Sequence, residues 1–443
     1  MKKLPLLFLF IILIYEASIS QQLDKTWAIK AREFIQKYYN LDFEFCFKQF
    51  DESVQKSFSI DMFKQAYSQT EFRYGKLLEI GETEAFDAKG YHITGTQVKH
   101  EKGSYTIEIT YGGNGKIYGF YFKPPKPSKT KEPKSPEYVN QEKFITQDIE
   151  FGSKFKLKGK LTIPKEGSNF PVLILVHGSG PNDMDETIGP NKPFRDLAEG
   201  LSSLGIAVLR YNKRTNQYGA LIAQNDTNFT LVDEVVDDVE EAFNFLQTES
   251  KINKDKIFVL GHSLGGYSIP LIAERLMKGA GFIIFAGSNQ PLEDKLVDQY
   301  EYISKLENNQ GINEDILNQV RQLRNKIKNR DYNDQTPRDS LLMGISPGYW
   351  NFLSDYRPLI IIKNINKPIL VLQGARDYQV TVAEFELWKK ALEKNPQAKF
   401  ELYDNLNHLF MAGKGMAVPE EYMKEGFVAE KVIKDIGLWI KSH

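Results

Sequence analysis

Cysteine is almost absent from this chain. A single one, Cys46, among 443 residues rules out an intramolecular disulfide and any cysteine-built zinc or iron–sulfur site. Its neighbours Phe45 and Phe47 mark it as a buried apolar residue. An intermolecular bond through it is left open. Histidine is scarce, with six in all, and neither sign of charge dominates: 57 Lys and Arg stand against 58 Asp and Glu, a net −1. Without a basic excess there is no footprint for a nucleic-acid partner. The apolar run Leu4–Tyr15 has only 12 residues, short of the roughly 20 that cross a bilayer. The chemistry is left to hydroxyls, carboxylates and imidazoles, with no cofactor and no metal expected.

That short run has its own meaning. Lys2 and Lys3 precede it, and Ala17, Ser18 and Ser20 follow it, which is the order of a secretory signal peptide. The expectation is a leader over residues 1–20 cleaved near Ser20, an exported protein, and no stable membrane span after processing. No cysteine ends the run, so the lipoprotein route is closed.

Between Lys123 and Pro136 the chain reads KPPKPSKTKEPKSP, a composition that resists packing and acts as an extended spacer. The predicted organisation is a small domain over 24–123, a linker over 124–137 and a large domain over 138–443. The first piece opens with Trp27, Ile29, Ala31, Phe34, Ile35 and Tyr38, spaced as one helical face. It then alternates through Tyr105, Ile107, Ile109 and Tyr111, which predicts strands and a small α+β domain. His92 and His100 lie on or near those strands and are read as surface residues without ligand spacing.

In the second piece, Pro171–Val176, Ile206–Tyr211, Ile257–Leu260, Phe282–Phe285 and Ile369–Leu372 are apolar runs of buried parallel strands. Helical spacing fills Leu231–Leu246 and Leu264–Met277 between them. This is a doubly wound, mostly parallel α/β sheet, and such sheets carry their sites at the carboxyl ends of the strands.

The residues after each strand are therefore the candidates. Gly261-His262-Ser263-Leu264-Gly265 follows one strand and opens a helix. A serine on so tight a turn needs small flanking residues, and it stands exposed at a helix N-terminus. Asp377 follows Ile369–Leu372, and His408 follows Phe400–Tyr403. The chain order Ser263, Asp377, His408 is that of α/β-hydrolases. His177-Gly178-Ser179-Gly180 follows Pro171–Val176 and places the Ser179 backbone N–H beside that of Leu264 as an oxyanion donor. His177 and His262 are read as structural, and Asp183, Asp185 and Glu186 as loop hydrogen-bonding groups rather than metal ligands.

With HGSGPNDMDETIGPNKPFRDLAEGL, VLRYNKRT, GHSLGGY, LQGARDYQVT and LNHLF, the region from about Tyr138 onward resembles secreted bacterial α/β-hydrolases of the serine-esterase and serine-aminopeptidase-like group. The piece ending in GKIYGFYF looks like the domain of unknown function found ahead of such enzymes, similar to cystatin-like or nuclear-transport-factor-like α+β cones. The resemblance implies Ser263 as nucleophile, Asp377 as acid and His408 as base. Asn212 stands where the family often has an acidic residue. Helical runs over about 293–356 predict a cap beside the strand ends. The implied reaction is ester hydrolysis, with amide or thioester cleavage by the same triad as the alternative. A non-catalytic binding module is the rival from another class.

Overall fold

The computed structural model describes residues 25–55, 59–88, 90–101, 103–123, 134–225, 229–307 and 312–443. The leader expected over residues 1–20 and most of the proline-rich spacer lie outside them. No helix among the described residues is long and apolar enough to cross a membrane. The chain divides into two compact units, one ending at Pro133 and the other beginning at Lys134. The second unit thus starts before residue 138, because Arg195 donates to Lys134 O at 2.7 Å and Ser135 donates to Glu199.

The first unit runs helix 25–39, helix Phe43–Gln49 and helix Ile60–Tyr74 into an antiparallel meander of β1 Leu77–Ala88, β2 Tyr91–His100, β3 Gly103–Tyr111 and β4 Ile117–Lys123. Ala31, Phe34, Ile35 and Tyr38 bury one face of the first helix in a cluster that includes Ile107, Ile109 and Tyr111 of β3. Ile29 departs from the predicted face and is 68% exposed. At about 100° per residue it sits roughly 160° from the line through Ala31 and Tyr38. The Asp42 carboxylate accepts from Phe45 N and starts the second helix. Cys46 lies fully buried on it, and burial pushes its thiol up to about 12. His100, expected at the surface, is instead buried, its ring bonded to the Tyr39 hydroxyl at 2.8 Å and to Gly75 O at 2.6 Å. Those two bonds replace the water it would otherwise keep. His92 stacks on Trp27 and bonds to Asp87.

The second unit is built on an eight-stranded sheet in the order β12-β11-β10-β9-β7-β8-β6-β5. Here β7 is Phe170–Val176, β8 Ala207–Tyr211, β9 Ile252–His262, β10 Gly281–Phe285, β11 Ile369–Gly374 and β12 Ala398–Tyr403, all parallel to their neighbours in that group. The antiparallel pair β5 Phe144–Phe151 and β6 Leu157–Pro164 extends the edge. Alternation along β7 sends Val172, Ile174 and Val176 to one face and Leu173 and Leu175 to the other. On the first face pack helices Asp237–Leu246, Leu264–Arg275 and Val382–Ala391, and on the second pack Pro193–Ser203 and Glu430–Ser442. This is the α/β-hydrolase fold. Between β10 and β11 the chain inserts a cap with helices Leu292–Ser304, Glu314–Lys328 and Pro347–Asp355. Its first two helices are tied by Arg321 to Glu301 at 2.8 Å and by Arg324 and Lys328 to Asp294.

One buried carboxylate stands out in the second face. Asp196 is 1% exposed, with Oδ2 accepting from Val428 N at 3.0 Å and Oδ1 without a partner. Burial pushes its carboxyl up to about 7. The folded group keeps its proton to about pH 7, whereas an unfolded aspartate releases it near pH 4. The folded state binds more protons across that window, so this group's contribution to stability falls as pH rises through it. Asp196→Asn, which keeps an acceptor for Val428, is expected to raise Tm at pH 8 relative to the parent and to match it near pH 4. Thermal denaturation across pH 4–8 checks this, and equal Tm differences at both ends would refute it.

Candidate active site

Ser263 sits between β9 and the helix Leu264–Arg275 with φ 51 and ψ −111, a left-handed conformation for a non-glycine residue. Strain of that kind costs on the order of 1–3 kcal/mol and persists only where the surroundings fix it. The Ser263 N–H donates to Phe285 O at 3.0 Å, and Ser263 O accepts from Tyr267 N at 2.9 Å. A Cβ on Gly261 would lie 2.2 Å from Gly265 O, and one on Gly265 would lie 2.4 Å from Val176 O. The two glycines of Gly-x-Ser-x-Gly are therefore steric requirements, as the sequence pattern predicts.

Asp377 stands just beyond β11 and is 1% exposed. Its Oδ1 accepts from Gln379 N and Val380 N at 2.8 and 3.0 Å, and its Oδ2 accepts from Gln373 Nε2. Oδ2 also accepts a hydrogen bond from His408 Nδ1 at 2.6 Å. The loop carrying His408 is shaped by Asn407, whose Oδ1 accepts from Leu409 N and Met411 N. With Nδ1 spent on Asp377, His408 has Nε2 free to act as a base. Ser263, His408, Ser179 and Leu264 all line one cavity of about 380 Å³. The structure thus gathers four of the five predicted site residues around this cavity, and Asp377 lies behind His408.

Leu292, Lys295, Leu296, Gln299 and Met343 of the cap close part of that cavity. Lys295 is 5% exposed and paired with Glu384 at 3.0 Å.

The acidic loop after β7 is more integral than a set of capping groups. Asp183 accepts from the backbone of Asp185 and Thr187. Against the upward pull of burial, Arg210 and Lys192 hold the Asp185 carboxyl below its ordinary range. Glu186 is 1% exposed and takes φ 50, with Oε1 accepting from Gly178 N at 2.6 Å and Oε2 from His262 Nδ1 at 2.8 Å. His262 Nε2 donates in turn to His408 O at 3.1 Å. Both ring nitrogens of His262 face acceptors, so it is held as imidazolium. Burial works against that charge, but Glu186 outweighs it and raises the pKa of His262, while His262 lowers that of Glu186. His177 is the opposite case: burial takes it down to about 4, and it donates as a neutral ring to Asp183 O. Asn212 Oδ1 accepts from Met184 N. Sequence reading missed the pairing of Glu186 with His262, which joins residues 76 apart; the only signal was a carboxylate in the glycine-rich loop and a histidine beside the serine.

The strained serine after β9, the aspartate after β11 and the histidine after β12 define a hydrolase of the α/β-hydrolase class. Residues 172–414 match the family described as serine aminopeptidase, S33, and the chain belongs to that family. Residues 31–120 match a family described as a protein of unknown function, DUF3887. The chain is 36% identical over 408 residues to esterase EstD of Thermotoga maritima, covering 92% of this chain and 93% of that one. It is 24% identical over 257 residues, 57% of this chain and 29% of the relative, to dipeptidyl peptidase family member 6 of Caenorhabditis elegans. Among solved structures, Est1E from Butyrivibrio proteoclasticus matches with TM-score 0.43 and 16% identity, over 67% of this chain and 99% of that one.

The Glu186–His262 pair carries its own test. Its stabilisation is complete between about pH 4.3 and 6.5, the unfolded values of Glu and His. It is lost as pH falls through the lowered value of Glu186 or rises through the raised value of His262. Glu186→Gln strands a buried imidazolium, and removing one partner of such a pair costs roughly 3–5 kcal/mol. Urea denaturation is expected to show that loss in full near pH 6 and a smaller one at pH 9; a loss that does not vary with pH would contradict the charge pairing.

Proposed function

We propose that this protein hydrolyses carboxylic esters of short acyl groups, with Ser263 as nucleophile, His408 as general base and acid, and Asp377 as the group that orients and charge-stabilises His408. The observation that carries this reading is the buried 2.6 Å bond from His408 to Asp377 behind a cavity into which the strained Ser263 opens. The relative EstD, similar along nearly the whole chain, is named an esterase, which supports the same chemistry.

His408 Nε2 takes the Ser263 hydroxyl proton as Oγ attacks the ester carbonyl carbon. The carbonyl electron pair moves onto oxygen, where the N–H groups of Ser179 and Leu264 receive it. The intermediate collapses, the C–O bond to the alcohol breaks, and His408 returns its proton to the departing alkoxide. Water then attacks the acyl-Ser263, giving its proton to His408, and the acid leaves as Ser263 recovers its hydroxyl.

The family description favours a second reading, cleavage of peptides from a free N-terminus. An aminopeptidase needs a carboxylate to hold the substrate ammonium. Among the described lining residues the one carboxylate is Glu186, already bonded to Gly178 N and His262. Lys295 on the same wall is likewise engaged, paired with Glu384. With no unengaged carboxylate among these residues, an ammonium finds no counter-ion there, and an uncharged ester suits the cavity better. Leu292 and Leu296 line this cavity, which supports the short-acyl reading. With the leader-like segment Lys2–Ser20, the setting proposed for this activity is outside the cytoplasm.

The p-nitrophenyl ester series from two to twelve carbons is expected to show kcat/KM falling with chain length, and Ser263→Ala is expected to lower kcat by roughly 10⁴–10⁶ with its Tm retained. Turnover near the parent's level in Ser263→Ala would remove it as nucleophile. Aminoacyl p-nitroanilides cleaved faster than every ester would replace the reading with the peptidase one.

A further inference from the structure

The VLRYNKRT segment contains none of Ser263, Asp377, His408, Ser179 and Leu264. Its Lys213 is 2% exposed, a rare environment for a lysine. Its ammonium donates to Gly178 O at 2.8 Å and pairs with Glu234 Oε1 at 2.5 Å. The other oxygen of Glu234 accepts from the Tyr349 hydroxyl at 2.6 Å, and Tyr349 belongs to the cap helix Pro347–Asp355. The order is thus cap, Glu234, Lys213, glycine-rich loop. Tyr349, Glu234 and Lys213 are not among the residues lining the cavity.

What Lys213 grips is the peptide group shared by Gly178 and Ser179. A peptide is planar, and in the trans form its C=O and N–H point in opposite directions; no cis bond occurs among the described residues. Fixing the direction of Gly178 O therefore fixes that of the Ser179 N–H, the donor assigned to the oxyanion. Asn182 Nδ2 makes a second, longer bond to the same oxygen at 3.2 Å, and Lys213 N donates to Asn182 O. On the other side of Gly178, its own N–H is held by Glu186. Two buried ion pairs, Lys213–Glu234 and His262–Glu186, hold the glycine from its carbonyl and its amide ends. A glycine-rich loop has little rotational restraint of its own. An unrestrained peptide there would have to be reordered at each turnover, whereas a donor fixed in advance needs no such step.

We infer that Lys213 is a positioning residue for the oxyanion hole, orienting the Ser179 N–H through the Gly178 carbonyl, and that Tyr349 and Glu234 tie this orientation to the cap. The inference rests on the serine-hydrolase reading and deepens it. A donor used on the tetrahedral intermediate, and not on the bound ester, acts on kcat rather than KM.

The test uses the full chain with p-nitrophenyl acetate and an aryl trifluoromethyl ketone, which forms a tetrahedral adduct on the serine. Losing a whole oxyanion donor costs roughly 10²–10³ in kcat, and Asn182 keeps part of the restraint. Lys213→Met is thus expected to lower kcat about ten- to a hundredfold with KM within about threefold. The ketone should bind more weakly by the same factor as kcat falls. Lys213→Met leaves Glu234 buried without its cation, so Lys213→Met combined with Glu234→Gln is measured beside it and is expected to show the same kcat loss with Tm restored toward the parent. Tyr349→Phe is expected to lower kcat about threefold. Unchanged kcat in the double variant, or a rise in KM with kcat and ketone affinity kept, overturns the inference; unchanged kcat in Tyr349→Phe overturns the tie to the cap. Ser263→Ala, run in parallel, separates the two levels. If it retains the parent's turnover the serine-hydrolase reading fails, and if it loses that turnover while the Lys213→Met, Glu234→Gln double variant keeps the parent's kcat, only the positioning role fails.

Discussion

Around Ser263 two chain segments meet with no room for a side chain between them. The turn after β9 is pressed against the end of β7 so closely that a Cβ on Gly265 would stand 2.4 Å from Val176 O. The contact is possible because β7 and β9 are neighbours in the sheet and parallel, so both end on the same edge. It fixes the glycine-rich loop and the serine turn as one block. Asp377 reaches that block from the end of β11, two strands from β9, and His408 reaches it from beyond β12. Parallel order, rather than any local motif, brings three residues far apart in sequence to one edge.

The same crowding explains why so many charges are buried nearby. Loops at the strand ends cannot satisfy their N–H and C=O groups through a ladder, and unpaired buried backbone groups are costly. Side chains take the place of the ladder. Glu186 accepts from Gly178 N, Lys213 donates to Gly178 O, Asn407 accepts from Leu409 N and Met411 N, and His262 donates to His408 O. A charged group brings a desolvation cost, so each of Glu186, His262 and Lys213 carries a counter-ion as well as its backbone partner.

How much of this was legible in the sequence follows from the range of the interactions. The parallel core strands are apolar runs, and the three catalytic candidates each follow such a run, so local reading reaches them. Strand β5 lies at the sheet edge, largely exposed, and its apolar residues are broken up by Thr146–Asp148 and Glu150, so it leaves no run to find. Ile29, grouped with the apolar residues of the first helix, stands roughly 160° from the line through Ala31 and Tyr38, so its apolar character did not place it on the buried face, and it is exposed. His100 is buried because Tyr39, 61 residues away, bonds its ring. Glu186 with His262, and Lys213 with Glu234, are pairings that exist only once the strand ends have come together. Composition shows the charges but not their partners.

The cap is the remaining determinant, and its attachments decide what kind of part it is. A lid that opens has few buried contacts and exposed hydrogen bonds. Here Lys295 of the first cap helix is buried against Glu384, which also accepts from Ser288 and from Thr381 N. Tyr302 donates to Ala417 O and stacks on Tyr378 at 4.8 Å. Tyr349 bonds to Glu234, and Tyr356 donates to Tyr267 O within the helix that begins after Ser263. Four attachments from two parts of the cap, Leu292–Ser304 and 347–356, reach the helix Val382–Ala391, the loop after His408, the turn Val232–Val236 before Asp237–Leu246 and the helix Leu264–Arg275. Releasing the cap would break a buried ion pair and expose apolar surface at once. The segments Leu292–Ser304 and 347–356 are therefore built into the hydrolase unit, and Leu292, Lys295, Leu296 and Gln299 of the first form a preformed part of the cavity wall.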